Sequence, residues 1–87
     1  MEIKTSSVFK KDVEVCKSRG YDLTRLTEVI TRLSKKIKLE SRYKDHKLQG
    51  DFADCHDCHI APDWLLIYRI NRNVLYLIRT GTHSDLL

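Results

Sequence analysis

WLLIYRINRNVLYLIRTG, residues 64–81, sets the architecture. Trp64 to Ile70 is apolar and β-branched enough to be a central strand, and Val74 to Arg79 is its hairpin partner across Asn71-Arg72-Asn73. Upstream, Pro62 ends the preceding strand, Phe52 to Ile60, because proline donates no ladder hydrogen bond and drives Ala61 towards extended geometry. Downstream, Thr82 to Leu87 either pairs as an edge strand or packs its two leucines.

The N-terminal half has a different period. Glu2 to Thr5 alternates weakly and reads as a short first strand; Ser6 or Ser7 then caps a helix whose apolar positions are Val8, Phe9, Val13 and Cys16, closed by Gly20. Asp22 or Thr24 caps a second helix with Leu23, Leu26, Ile30, Leu33 and Ile37 on one face. The tight turn between them predicts an antiparallel helical pair. After Lys38 the helical period fades, and the polar stretch to Gly50 reads as a loop. The order is β-α-α-β-β-β in one domain, residues 1–87: an α+β fold with a helical pair packed on a mostly antiparallel sheet.

Charge is unevenly spread. The chain carries +4 overall, yet residues 1–50 hold 13 Lys/Arg against 7 Asp/Glu and residues 51–87 hold 3 against 5. The run Lys35, Lys36, Lys38, Arg42, Lys44 and Lys47 concentrates the excess and suits a polyanionic partner, or equally a solvated helix end and loop. No stretch approaches the roughly 18 apolar residues of a membrane span, and the N-terminus has no apolar signal segment, so no membrane association and a cytoplasmic location are expected. An odd count of three cysteines fits a reducing compartment.

Cys55-His56-Asp57-Cys58-His59 has the spacing of a haem-attachment motif. Covalent haem requires export, however, and a structural zinc site wants four ligands, for which there is no second cysteine pair. In a strand, Cys55, Asp57 and His59 face one side while His56 and Cys58 face the other, which splits any shared site. The expectation is packed or surface thiols, with no metal and no cofactor. His59 and Asp63 instead bracket the bend at Pro62, His46 follows the basic run, and His83 closes RTGTH beside Arg79. Histidines at strand ends and loop junctions, with an arginine and a carboxylate, suit RNA scission by the neighbouring 2′-hydroxyl. That reaction needs a base, an acid and a cation for the charge growing on the phosphorane oxygens, and no metal.

The strings YKDHKLQG (Tyr43 to Gly50), CHIAPDWLLIY (Cys58 to Tyr68) and RTGTHSDLL (Arg79 to Leu87) resemble the RelE/ParE superfamily of bacterial toxins, and within it the YafQ branch of ribosome-dependent mRNA interferases. The resemblance covers essentially the whole chain and implies a RelE-like fold. It implies cleavage of mRNA codons in the A site of the 70S ribosome, rRNA contacts through the basic face, and a cognate antitoxin as partner. Carried over by motif, the site is His46 of DHxLxG, His59, Asp63 and Trp64 of HxxPDW, and Arg79 and His83 of RxGTH. His83 and His46 are then the proton-transfer pair, Asp63 a base or histidine-orienting group, His59 a positioning or auxiliary proton group, and Arg79 the phosphate clamp. Lys35, Lys36, Lys38, Arg42, Lys44 and Lys47 are assigned to RNA, and Trp64 to the core. Leu87 stands where the family often has an aromatic residue. The alternative is a ParE-like relative that poisons another target, such as gyrase, without nuclease activity.

Overall fold

The computed structural model describes all 87 residues. Its elements are β1 (Glu2–Thr5), α1 (Ser7–Ser18), α2 (Leu23–Ser34), β2 (His46–Lys47), β3 (His56–Ala61), β4 (Trp64–Asn71), β5 (Val74–Gly81) and α3 (His83–Leu86), with single 3-10 turns at Ser41–Tyr43 and Gly50–Phe52. The sheet runs β1-β5-β4-β3-β2, with β1 parallel to β5 and every other neighbour antiparallel.

The β4–β5 hairpin is tighter than the sequence implies. Asn71 pairs with Val74, so only Arg72 and Asn73 are outside the ladder, both at positive φ (50° and 63°), as a type I′ turn requires. Further along, Ile67 pairs with Arg79 and Tyr68 with Leu77, which leaves Ile78 as the extra residue of a bulge.

Both long helices start at the expected caps. The Ser6 hydroxyl accepts from the Phe9 N–H (2.9 Å) and donates to the Ile78 carbonyl (2.8 Å), which ties the start of α1 to β5. Asp22 caps α2 through the Thr24 N–H (3.1 Å). α2 stops at Ser34, short of Ile37, which is half exposed. Lys36 takes a left-handed conformation (φ 60°), and the Ile37 and Lys36 N–H groups bond back to Arg32 and Leu33. This is a Schellman ending made by a lysine, where a sequence reader looks for glycine.

Two other boundaries differ from expectation. The strand read as Phe52 to Ile60 begins only at His56, because Gly50 and Asp54 take positive φ and residues 50–55 fold into consecutive turns, with Ala53 N–H bonded to Gly50 and Cys55 N–H to Phe52. Those turns fold part of the expected loop back as β2, His46 opposite Asp57 and Lys47 opposite His56. The C-terminal segment is neither an edge strand nor a pair of packed leucines. Thr82 and Asp85 form a capping box that starts α3, burying Leu86 and leaving Leu87 exposed.

Apolar side chains divide between the two sheet faces. α1 and α2 place Phe9, Cys16, Leu26, Val29 and Leu33 against Cys58, Leu66, Tyr68, Leu75 and Leu77 in the main core. On the opposite face, Cys55, Leu65, Ile67 and Leu86 form a smaller cluster with Leu48, Phe52 and Ile78. The site lies beside this smaller cluster.

Candidate active site

Strand alternation sets the first part of the site. Cys58 and Ile60 of β3 point into the main core, so Asp57 and His59 point to the other face. Asp57 is 2% exposed and lies opposite His46 in the register. His46 Nδ1 is 2.9 Å from Asp57 Oδ1 and 2.9 Å from the Lys44 carbonyl oxygen. The hydrogen bond to the Lys44 carbonyl puts the proton on Nδ1; Asp57 Oδ1 lies beside it as a close charge partner without a hydrogen bond of its own, and the half-exposed ring keeps Nε2 as its free nitrogen.

The Pro62 bend and α3 supply the second part. His83 is the first residue of α3, and its backbone N–H (3.0 Å) and Nδ1–H (2.6 Å) both donate to Asp63 Oδ1. Holding ring and backbone to one oxygen fixes the imidazole's direction as well as its tautomer, and again leaves Nε2 free. The His59 and His83 rings meet edge to face, with centroids 5.4 Å apart. His46, His59, Asp63 and His83 are thus brought onto one face, joined by Asp57.

Each pair sets its own charge balance. Burial pushes the Asp57 carboxyl above its usual range, opposed by the positive charge that His46, His59 and His83 can carry. Burial lowers His59; Asp57 opposes this, while His83, Lys44 and His46 add to the lowering. Asp63 is held below the usual carboxylate range by the two hydrogen bonds from His83, so it is ionised at neutral pH and a weak base. Its geometry is that of a group that orients His83.

The remaining residues assigned from sequence are placed less uniformly. Arg79 is committed to α1: Nε and Nη2 donate to the two oxygens of Asp12 (2.7 and 3.0 Å), and Asp12 also accepts from the Thr80 N–H. Nη1 and the second Nη2 N–H are left for an anion, so this arginine is a partly occupied clamp. Lys44 and His59 line a cleft of about 350 Å³ whose other cations are Arg42 and Arg25. Arg42 lies over the Tyr43 ring at 4.7 Å, and Arg25 is fixed by donating to the Ile60 carbonyl (3.0 Å). Lys35, Lys36, Lys38 and Lys47 are exposed at the end of α2, in the following loop and on β2. Trp64 is core, its Nε1–H donating to Thr80 Oγ1 at 2.9 Å. Sequence reasoning passed over Asp57 and Arg25; the one signal for Asp57 was its place on the His59 side of a strand.

Three histidines and two carboxylates on one face of an α+β sheet, with a cationic cleft beside them, make a protein of the class whose chemistry can move protons at a polyanion. The profile of a family described as "bacterial toxin of type II toxin-antitoxin system, YafQ" matches residues 1–87, and the chain belongs to that family. An mRNA interferase toxin YafQ of Escherichia coli K12 is 38% identical over 86 residues, 98% of this chain and 94% of that protein. In the crystal structure of an E. coli DinJ–YafQ complex, a chain 38% identical superposes with a TM-score of 0.91, covering 99% of this chain and 97% of that one. A metal-bound toxin from Helicobacter pylori is 40% identical, with a TM-score of 0.93 over 100% and 99% of the two chains. In this chain Nδ1 of His46 and of His83 faces oxygen acceptors while Nε2 of each is free, and Cys55 and Cys58 are buried in different apolar clusters.

Proposed function

We propose that this toxin is an mRNA interferase, an endoribonuclease that cuts mRNA in the ribosomal A site by metal-independent attack of a 2′-hydroxyl on the neighbouring phosphate. His46 and His83, each with Nδ1 anchored and Nε2 free, are the base and the acid. Asp63 orients His83, the buried Asp57 charge sits beside His46, and His59 between them positions the scissile phosphate. Arg79 Nη1 and Lys44 meet the developing charge, and Lys35, Lys36, Lys38, Arg42 and Lys47 meet rRNA. All 87 residues act as one toxin domain in the cytoplasm, where ribosomes are, and a cognate antitoxin protein binds and neutralises it.

The observation that supports this reading best is the pair of anchored imidazoles on one sheet face, His83 on Asp63 at 2.6 Å and His46 on the Lys44 carbonyl at 2.9 Å with the Asp57 carboxylate beside it. A pure binding module, such as a gyrase poison, has no use for them. The test is induction in cells followed by primer extension on mRNA. Codon-aligned cuts and growth arrest are expected, both lost in His83→Ala and unaffected in vitro by a chelator selective for transition metals over Mg²⁺. Arrest without cuts, or DNA damage in their place, would contradict it.

A further inference from the structure

β2 is a two-residue edge strand, and the His46 ring it carries is more than half exposed, so backbone pairing alone leaves that ring weakly fixed. Lys44 just before it is left-handed (φ 49°), a conformation non-glycine residues keep only when neighbours hold them there. Asp45 lies between the two, its carboxylate turned to the sheet face opposite the one His46 uses. There Tyr68 Oη–H donates to Asp45 Oδ1 at 2.6 Å. Tyr68 belongs to β4 and pairs with His56 of β3, so its hydroxyl reaches past β3 to grip a residue two strands away. The tyrosine is 3% exposed, its ring lies 5.5 Å from that of His56, and His56 Nδ1 is 3.5 Å from the same Asp45 oxygen.

We propose that Tyr68 is a positioning residue for RNA cleavage: through Asp45 it fixes the Lys44-Asp45-His46 segment and thereby aims the His46 imidazole. Burial and the Asp45 charge both push the Tyr68 hydroxyl above its usual range, so it remains a donor wherever the enzyme works. The proposal rests on the proton-transfer role given to His46. A misaimed base loses catalytic rate while substrate binding, which is spread over the basic face, is unchanged.

The test compares Tyr68→Phe, His46→Ala and the double variant on programmed ribosomes, with ¹⁵N-imidazole spectra of the free protein. Tyr68→Phe removes one oxygen and keeps the ring. It should lower kcat on the order of tenfold to a hundredfold with KM unchanged, and shift the His46 signals. In the His46→Ala background it should cost nothing further, since both changes act through one ring. Asp45→Asn, which keeps an acceptor for Tyr68, should retain activity close to wild type, whereas Asp45→Ala should behave like Tyr68→Phe. Unchanged His46 signals in Tyr68→Phe, or a full additional loss in the double variant, would overturn this proposal alone. Wild-type cleavage by His46→Ala would overturn it together with the role given to His46 above.

Discussion

At the scale of single residues, the two carboxylates of the site pull stability in opposite directions. Asp57 is 2% exposed and burial raises its carboxyl. A folded-state value above the unfolded one contributes stability below the unfolded value and loses it as pH rises through the folded value, so ionised Asp57 is a net burden at neutral pH. Asp57→Asn should therefore raise Tm at pH 7, by about 4–8 °C for each 1 kcal/mol gained, while cleavage falls; melts repeated at lower pH should show the gain vanish as the wild-type carboxyl protonates. Asp63 is lowered by His83, the opposite case, so its contribution is present above the unfolded value and lost as pH falls through the folded one. Its role is separable by substitution. Asp63→Asn still offers an oxygen to the His83 N–H groups and should cleave faster than Asp63→Ala in single-turnover assays; equal loss would make the carboxylate itself a base. The motif histidines and Asp63 were legible in the sequence, whereas Asp57 was not. It sat inside a pattern that looks like metal or haem ligands, and its partner is set by a strand pairing, His46 opposite Asp57, that no local signal announces.

Among the elements, α3 matters most to the site because it carries His83 within five residues of the chain end. Its hold is the capping box of Thr82 and Asp85, the Arg19–Asp85 ion pair (2.7 Å) and the burial of Leu86. A Cβ at Gly81 would stand 2.8 Å from Asp85 Oδ2, so that position accepts only glycine without moving the cap. Leu87 is 63% exposed. Deleting Leu87 alone should leave ribosome-dependent cleavage near wild type, whereas Leu86→Ala should cost about 2 kcal/mol in denaturant melts and a larger share of activity, because the helix frays before the domain unfolds. The hairpin and both long-helix starts were readable because Ser6, Asp22 and the β-rich run 64–79 state their structure locally. The missed elements depend on context: Thr82-x-x-Asp85 is a capping box too short to show a helical period, and the two residues of β2 are a strand only because the turns at 50–55 bring β3 alongside.

For the whole molecule, the sheet separates two tasks, a helical layer that buries most of the apolar surface and an opposite face that holds the imidazoles. The charge asymmetry read from sequence appears as exposed lysines at the end of α2 and in the loop after it. Replacing Lys35, Lys36 and Lys38 with glutamine should weaken ribosome binding and reduce the slope of log affinity against log salt by about one for each phosphate no longer neutralised, with kcat on saturating ribosomes unchanged. If these side chains and the substrate's own hydroxyl together cut the chain, removing that hydroxyl must stop the reaction, which can be measured by translating an mRNA that carries a single 2′-deoxynucleotide at the mapped cut. Cleavage there should disappear while unmodified mRNA yields a 2′,3′-cyclic phosphate end; cleavage of the deoxy-substituted message at the wild-type rate would contradict the mechanism.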